Sequence, residues 1–247
     1  MTVLTFCLVT VAGFFAGLVG YVTGMASLIS YPALLAVGLS PVSANVTNTV
    51  AMVAVGAGST AKAGAAVSDN SRALLLHAAC AAAGGLAGAA LLLTTSAEVF
   101  AVVVPFLIAA ASASLLLQPK LRELAGGRTF PRLYPLATAV VALYGGYFGA
   151  GVGVMFLALI LVCTSETIWR ASILKSVLTG VANLVAAIGF AAFGPVHWLA
   201  AVGMGLGAFA GGWYGPPVVA RLPPTLMRVG VAVCGFGLAG YLALFSQ

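Results

Sequence analysis

The sequence has very few charged residues, and acidic residues are the scarcest of them. Only 6% of its 247 residues are charged, with four Asp or Glu against ten Lys or Arg, whereas 62% are hydrophobic. Because roughly a quarter of the residues in a soluble domain are charged, this composition excludes a soluble globular domain. Several apolar runs reach the roughly 20 residues needed to span a bilayer. We therefore predict a polytopic membrane protein.

The sequence also lacks the motifs of an enzyme or a metal site. It contains no HExxH, GxSxG or P-loop pattern and no pair of carboxylates placed for acid–base catalysis. Its four cysteines show no CxxC or metal-ligand spacing, so we interpret them as apolar helix residues. We therefore expect no enzymatic activity, no metal or other cofactor, and no ATP-driven transport by this chain alone. The cysteines are Cys7, Cys80, Cys163 and Cys234.

The excess of basic residues, which gives a formal net charge of +6, does not indicate binding to nucleic acid. Most cations lie at the ends of apolar runs, where membrane topology places them. The acidic residues Asp69, Glu98, Glu123 and Glu166 also lie at or near segment ends, so we expect no proton relay of carboxylates within the membrane. Met1–Val11 contains no Lys or Arg, and a cleaved signal peptide is therefore not predicted.

Eight apolar segments account for most of the chain. Only helices and closed barrels satisfy the backbone in lipid, and the alternating pattern of a barrel strand is absent. We therefore predict an all-α fold that forms a single membrane domain over residues 1–247. The segments are 3–39, 43–66, 72–94, 99–117, 133–163, 167–193, 197–215 and 226–245.

Two of these segments are too long for one membrane helix. At 1.5 Å per residue, residues 3–39 would form a helix of roughly 55 Å and residues 133–163 one of roughly 46 Å, against a hydrocarbon core of about 30 Å. Glycines lie near the middle of both segments. We predict that each segment is broken, either into two short spans or into a hairpin that enters the bilayer and returns.

The order of segments indicates an internal repeat. A long broken segment is followed by three single runs in both halves, which gives repeats of approximately 1–117 and 133–247. A shift of 126 residues places Gly20 on Gly146 and Thr49 on Lys175. Membrane transporters are often built from such repeats.

The positions of the cations indicate how the two halves are oriented. They gather in four connections, which we expect on the cytoplasmic face. With eight simple spans, Arg221 and Arg228 would lie opposite the Lys120–Arg132 loop. If each long segment makes an even number of crossings, all four connections share one face, the repeats are inverted, and both termini lie outside. The connections contain Lys62 and Arg72; Lys120, Arg122, Arg128 and Arg132; Arg170; and Arg221 and Arg228.

The glycines of the second long segment suggest a binding site. A half-helix that begins within the membrane presents free N–H groups and the positive end of its dipole to an anion. Gly149, Gly151 and Gly153 would allow the backbone to approach a ligand closely, and we predict non-helical backbone over 149–153. The alternative is that the glycines only permit close helix packing.

Lys175 lies in the middle of an apolar run, where a cation is costly and is a functional candidate. Asn183 follows about two helical turns later, so both side chains share a helix face. We interpret Lys175 as an electrostatic partner for an anion. The alternative is a snorkelling lysine whose ammonium reaches the interface.

A polar stripe in the first half resembles the Lys175 region but has no charge. Its amides and hydroxyls could donate to the oxygens of an anion, or they could form hydrogen bonds between helices. His77 is expected to be a packed or interfacial residue. The stripe consists of Asn45, Thr47, Asn48, Thr49 and Ser59.

The positions singled out above are those at which the chain resembles the sulfite exporter TauE/SafE-like permeases. The resemblance covers nearly the whole chain in segment order. It departs after Gly24, where Met25-Ala26-Ser27 follow instead of further glycines, and at Gly145, where an acidic residue often occurs. The matching residues are Ala16-Gly17, Gly24, Pro32-Ala33-Leu34, Gly38–Pro41, Ala44, Thr47-Asn48, Tyr144–Gly149, Gly151, Gly153, Lys175 and Asn183.

The resemblance implies a multi-pass secondary carrier of the bacterial inner membrane that transports small sulfur-containing anions such as sulfite or organosulfonates. Its expected partners are the anion and the lipid bilayer, not nucleic acid, and alternating access would come from one half rocking against the other. An integral-membrane enzyme or a non-transporting assembly partner is the alternative. No feature of the sequence assigns the direction of transport, the coupling ion or the oligomeric state. The predicted substrate-binding residues are Gly24, Met25, Asn48, Thr49, Gly149, Gly151, Gly153, Lys175 and Asn183.

Overall fold

The computed structural model of the protein describes residues 1–63, 71–124, 130–219 and 224–245. These residues form helices joined by short connections, with no strand among them, as predicted. The ten helices are α1 (Val3–Thr23), α2 (Ser27–Ala36), α3 (Pro41–Ala63), α4 (Ser71–Thr94), α5 (Ala97–Leu124), α6 (Tyr134–Tyr147), α7 (Val152–Cys163), α8 (Ile168–Phe193), α9 (Trp198–Val219) and α10 (Pro224–Phe245).

The outer surface of the helices is apolar, as expected of a protein that contacts lipid. Phe106 is 70% exposed, Leu136 65% and Phe193 82%. Four helices among the described residues are long and apolar enough to cross a bilayer, and shorter apolar helices accompany them. The prediction of a multi-pass helical membrane protein is therefore confirmed. The four windows are Val3–Gly20, Arg72–Thr94, Ala97–Leu117 and Trp169–Phe193.

Both long segments are broken close to their predicted glycines. The first break separates α1 from α2 at residues 24–26, and the second separates α6 from α7 at residues 148–151. The prediction of non-helical backbone over 149–153 was wrong for its last two residues, because Val152 and Gly153 belong to the first turn of α7. Glycine disfavours a helix interior only weakly, so it does not prevent α7 from beginning at Val152.

Helix α5 is longer than its apolar run. The run 99–117 predicted its end near Leu117, whereas the helix continues to Leu124. Lys120 and Glu123 in this last part are exposed. Polar residues are good helix formers outside the hydrocarbon core, so hydropathy alone underestimates the length of the helix.

Helix α1 packs closely along α9, and the two helices run in parallel. A Cβ atom added to Gly13 would lie 2.3 Å from the carbonyl oxygen of Met204, and one added to Gly17 would lie 2.1 Å from that of Ala208. The contacts advance in the same direction along both helices. Close backbone approach at small residues is the usual way in which helices associate in lipid.

Helices α4 and α6 form a second close pair. A Cβ on Gly84 would lie 2.2 Å from the carbonyl oxygen of Ala139, and one on Gly88 2.0 Å from that of Leu143. These helices are therefore also parallel and in close contact. Helix α1 thus packs against α9, and α6 packs against α4, in the same relative direction.

Helices α3 and α8 cross near the centre of the molecule and are antiparallel. At the start of α3, the Ser43 hydroxyl donates to the carbonyl oxygen of Pro195 beyond the end of α8, at 2.8 Å. One turn later, Val46 lies against Gly194. Further along α3, Met52 shares a cavity with Lys175 in the first half of α8.

Two sets of connections lie at opposite ends of these helices. At one end, Thr2, Gly38 and His197 line a common surface pocket. At the other end, the Phe130 N–H donates to the carbonyl oxygen of Cys163 at 3.2 Å. The segments before α6 and after α7 are therefore neighbours.

Aromatic side chains fix the second break in the core. Phe148, the residue that follows α6, is 1% exposed. Its ring centroid lies 5.5 Å from that of Tyr31 on α2 and 6.3 Å from that of Phe100 on α5. Because the break is packed from two sides, its irregular backbone is buried in protein, as irregular backbone at membrane depth must be.

Candidate functional site

The two breaks touch each other at the centre of the molecule. Gly24 adopts φ 74° and Gly149 adopts φ 79°, a left-handed conformation that favours glycine. A Cβ atom on Gly153 would lie 2.8 Å from the carbonyl oxygen of Gly24. A side chain on Gly24 or on Gly153 would prevent this contact. The two breaks therefore pack directly against each other through their glycines.

Each break combines the end of one helix with the start of another. The N–H of Gly24 closes α1 by donating to the Gly20 carbonyl at 2.8 Å, and α2 begins after Ala26. Gly151 stands at the N-cap of α7 with φ 76°. At these two described N-cap positions, Ala26 and Gly151, neither residue makes a side-chain cap. Backbone carbonyl groups take up part of the first-turn N–H groups instead: the Leu28 N–H donates to the Met25 carbonyl at 3.1 Å, and the Val154 N–H donates to the Gly151 carbonyl at 3.0 Å.

A cavity of about 80 Å³ lies beside the two breaks. By comparison, a volume of about 10–15 Å³ is sufficient for one water molecule, so the cavity has room for a small anion. Its walls come from both halves of the chain. The first half contributes Gly20, Gly24, Ala26, Ser27 and Met52, and the second contributes Gly149, Val152, Gly153, Lys175, Ser176, Thr179, Gly180 and Asn183.

Helix α8 contributes the polar wall of the cavity. Lys175, Thr179 and Asn183 follow one another at intervals of four residues and all line it. Side chains four residues apart lie on the same helix face. The cavity therefore brings together the two polar residues of α8 that the sequence singled out, Lys175 and Asn183.

Lys175 is buried in spite of its charge. The residue is 7% exposed, although large apolar side chains on the outer face of α8, such as Ile188 and Phe193, are 63% and 82% exposed. A lysine that snorkelled along the lipid-facing surface would be exposed in the same way. The burial of Lys175 together with its position on the cavity wall therefore disfavours the snorkelling interpretation.

Thr179 is a lining residue that the sequence did not single out. Its Oγ1 atom is buried and has no hydrogen-bond partner among the described residues. The neighbouring hydroxyl of Ser176 differs, because it donates to the carbonyl oxygen of Ser172 at 2.9 Å. Buried hydroxyls are usually paired, so the lack of a partner for the Thr179 hydroxyl among the described residues is unusual. A threonine one turn after Lys175 was the signal that could have identified it.

Asn48 and Thr49 do not line the cavity. The Asn48 amide donates to the Ser27 hydroxyl at 3.0 Å and accepts from the Ser30 hydroxyl. The Thr49 hydroxyl donates to the carbonyl oxygen of Asn45 at 3.0 Å. Asn48 therefore holds the start of α2 and orients Ser27, which is the polar side chain that reaches the cavity from the first half.

Met25 and Gly151 lie behind the cavity wall and pack on each other. Met25 is fully buried, and a Cβ on Gly151 would lie 2.9 Å from the Met25 Cε atom and 3.2 Å from Cβ of Ala111 on α5. Their role in this structure is therefore to join the first break, the second break and α5. Of the predicted site residues, Gly24, Gly149, Gly153, Lys175 and Asn183 line the cavity, whereas Met25, Asn48, Thr49 and Gly151 do not.

The other polar residues of the first-half stripe form hydrogen bonds between segments. The Asn45 amide donates to the carbonyl oxygen of Tyr147 at 2.9 Å, which connects α3 to the end of α6. The Thr47 hydroxyl accepts from the N–H of His197 at 2.9 Å. For Asn45 and Thr47, the alternative of interhelical bonding therefore applies, and the side chain of Ser59 lies outside the described residues.

His77 packs away from the cavity. Its ring centroid lies 3.9 Å from that of Tyr134 at the start of α6, and its Nδ1 atom contacts the carbonyl oxygen of Ala73. His77 is therefore a packed residue, as expected. Within the described residues, no group of three or more His, Cys, Asp or Glu side chains could hold a metal ion.

A polytopic helical membrane protein with a cation-bearing cavity between two broken helices has the architecture of a membrane permease. The profile of the sulfite exporter TauE/SafE family matches residues 9–242 of the chain. The chain belongs to this family, as its resemblance indicated. No curated protein and no solved structure matches it.

Proposed function

We propose that the protein is a secondary carrier that moves small sulfur-containing anions, such as sulfite or organosulfonates, across the bacterial inner membrane. The observation that carries this proposal is the burial of Lys175 on the wall of a small cavity between the two helix breaks. Ionisable residues within membrane segments mark substrate pathways. Membership of a permease family agrees with this function.

The groups around the cavity match the chemistry of an oxyanion. The Lys175 ammonium offers charge and three donors, and the Thr179 hydroxyl and Asn183 amide can donate to further oxygens. The starts of α2 and α7 contribute backbone dipoles beside Gly24 and Gly149. A sulfonate or sulfite group presents three oxygens, so donors from several directions suit it.

The packing of the helices supports two inverted repeats, approximately 1–117 and 133–247, within one membrane domain. The third helices of the two halves, α3 and α8, are antiparallel, as inversion requires. The rotation that would place the first repeat on the second also places the pair of α1 and α9 on the pair of α6 and α4. Counted from the helix starts at Pro41 and Ile168, Asn48 and Lys175 occupy the same position, one residue away from the register that pairs Thr49 with Lys175.

The directions of the helices also support an even number of crossings for each broken segment. If α3, α4 and α5 cross the membrane in alternating directions, α5 ends on the face on which α3 ends. Helix α8 is antiparallel to α3 only if it begins on that face. The chain must therefore return to that face over α6 and α7. A re-entrant hairpin does this. The bond from Phe130 to Cys163 keeps both ends of this hairpin together. Arg128 and Arg221, which belong to two of the predicted cation-bearing connections, lie outside the described residues.

The position of the cavity supports transport by alternating access. Because residues of both repeats line it, rocking of one repeat against the other would expose the anion first to one face and then to the other. The contact between Gly24 and Gly153 lies at the interface that such a motion changes.

Uptake of labelled sulfite, thiosulfate and small sulfonates into proteoliposomes tests the proposal. The expected result is saturable, protein-dependent flux that Lys175→Met reduces strongly. The control is Lys120→Met, which removes an exposed lysine at the end of α5 and should leave flux unchanged. Absence of flux and of binding for every anion would favour an enzyme or an assembly partner.

A further inference from the structure

The wall that the first half contributes to the cavity has one polar side chain among its described residues. Gly20, Gly24, Ala26 and Met52 are glycines or apolar residues, and Ser27, the first residue of α2, is the exception. A serine hydroxyl can either donate or accept a hydrogen bond. What this wall offers to a ligand therefore depends on the direction in which the Ser27 proton points.

The amide of Asn48 on α3 restricts the direction of that proton. Asn48 is 2% exposed, and its Nδ2 atom donates to the Ser27 oxygen at 3.0 Å. An oxygen that accepts a hydrogen bond along one direction cannot place its own proton along the same direction. The Ser27 proton must therefore point away from Asn48.

This conclusion requires that the amide nitrogen of Asn48, and not the amide oxygen, faces Ser27. On the other side of the amide, the Ser30 hydroxyl lies 2.5 Å from Asn48 Oδ1. A separation this short occurs in O–H···O bonds and not in N–H···O bonds, whereas 3.0 Å on the Ser27 side is typical of an N–H···O bond. The two separations therefore agree with one orientation of the amide, with its oxygen towards Ser30.

The carbonyl oxygen of Ala26 is the competing acceptor for the Ser30 proton, at 3.1 Å from the hydroxyl. This carbonyl already accepts from the backbone N–H groups of Ile29 at 3.0 Å and of Ser30 at 3.1 Å. Because a carbonyl oxygen has two lone pairs, both are occupied. The Ser30 hydroxyl therefore donates to Asn48, and the donors follow one direction from Ser30 to Asn48 to Ser27.

We propose that Ser30 and Asn48 are positioning residues that direct the Ser27 hydroxyl into the cavity, where it donates to the bound anion. This inference rests on the proposed function and adds a donor from the first half of the chain to those of α8. Hydrogen bonds in a chain polarise one another, so the same network strengthens Ser27 as a donor. Asn48 thus affects binding through Ser27, although it does not line the cavity.

Calorimetry of methanesulfonate binding to the full-length protein in detergent tests the role of Ser27. Ser27→Ala removes the donor and should lower affinity about two- to tenfold, the value of one neutral hydrogen bond. Ser27→Thr keeps a hydroxyl and should retain most of the affinity. Wild-type affinity in Ser27→Ala would overturn the inference. Absence of methanesulfonate binding to the wild type would instead overturn the proposed function on which the inference rests.

Ser30→Ala tests the positioning of the proton. Without the Ser30 hydroxyl, the Asn48 amide can turn its oxygen to Ser27 and draw the Ser27 proton away from the cavity. Ser30→Ala should therefore lower affinity by no more than Ser27→Ala does, and adding it to Ser27→Ala should change affinity by less than about twofold. A lower melting temperature with unchanged affinity in Ser30→Ala would assign Ser30 a structural role alone and overturn the positioning.

The matched control is Thr47→Val, also on α3. Thr47 is buried, and its hydroxyl accepts from the His197 N–H at 2.9 Å without lining the cavity. Thr47→Val removes this bond between segments, so it should lower the melting temperature and leave methanesulfonate affinity unchanged. An equal loss of affinity in Thr47→Val and Ser30→Ala would indicate general loosening around α3 and would overturn the inference.

Discussion

At the scale of residues, the burial of a lysine in a chain with only 6% charged residues is the feature with the strongest functional implication. Lys175 is 7% exposed, and Thr179 and Asn183 continue its face of α8. A buried ammonium without a functional role would be replaced by an apolar residue at a gain in stability. The polar face of α8 therefore supports the proposed anion site.

Lys175→Met should weaken anion binding while the protein remains folded. Methionine keeps the apolar stem and removes the charge, and a charge-assisted hydrogen bond contributes about 1.5–3 kcal/mol, or about ten- to a hundredfold in affinity. Calorimetry with methanesulfonate measures the change, and thermal unfolding reports the fold. Wild-type affinity in Lys175→Met would show that the site depends on helix ends and neutral donors alone.

Thr179→Val should separate binding from stability. The Thr179 hydroxyl is buried and has no partner among the described residues, so replacing it with a group of the same shape removes a polar group that costs about 1–3 kcal/mol to bury unpaired. We expect a higher melting temperature together with anion affinity reduced about two- to tenfold, the value of one neutral hydrogen bond.

The matched control for Thr179→Val is Thr138→Val. Thr138 on α6 is also buried with its hydroxyl unpartnered among the described residues, but it does not line the cavity. This variant should raise the melting temperature without changing affinity. Equal affinity in both variants would contradict a binding role for Thr179.

At the scale of elements, the two breaks form one structural unit. Gly24 and Gly153 contact each other through backbone atoms, and Gly151 packs against Met25. Asn48 holds the start of α2 through Ser27. Because these contacts connect the two halves, a change at either break should affect the position of both helix starts at the cavity.

Gly151→Leu should abolish transport and leave folded protein in the membrane. Gly151 has φ 76°, where a residue with a side chain is strained by roughly 1–2 kcal/mol, and a Cβ would lie 2.9 Å from the Met25 Cε atom. This cost is small against the stability of a helical domain. The new side chain would nevertheless displace the start of α7. Flux into proteoliposomes, with yield and melting temperature recorded in parallel, measures the effect.

Gly237→Leu is the control for the element-scale prediction. Gly237 on α10 is exposed, and a Cβ there would meet no atom within 4 Å. This variant should transport like the wild type. Normal flux in Gly151→Leu would show that the geometry of the second break is not needed for transport.

At the scale of the whole molecule, the relative directions of the helices and the distribution of cations point to the same arrangement. Antiparallel α3 and α8 support inverted halves, and the cation-rich connections then lie on one face. The pocket that contains Thr2, Gly38 and His197 gathers connections of the other face. Both termini are then expected outside.

Cysteine labelling tests this topology. In a background in which Cys7, Cys80, Cys163 and Cys234 are replaced by alanine, cysteines at Gly126 and Pro223 should both resist a membrane-impermeant thiol reagent in sealed cells. Both should react after the cells are opened. A cysteine at Ser96, which is exposed between α4 and α5, should react from outside. Labelling of only one of Gly126→Cys and Pro223→Cys would contradict inversion.

The sequence was sufficient for the features that depend on local composition and spacing. The scarcity of charge predicted membrane helices, and the excessive length of two segments predicted their breaks. The spacing of Lys175 and Asn183 predicted one shared face of α8, and both side chains line the cavity. Each of these properties depends on residues close together in the chain, so periodicity and length reveal them.

The contacts between distant segments could not be predicted in the same way. These contacts depend on how helices from different parts of the chain pack. They include the contact of Gly24 with Gly153 and the hydrogen bonds by which Asn48 holds the start of α2. They also decide that Ser27 and Thr179 line the cavity. In lipid, apolar residues are equally well accommodated inside and outside the bundle, so hydropathy does not distinguish a packed face from a lipid-facing one. Close contact at small residues determines which face of a helix is packed. That contact exists only when the partner helix is present.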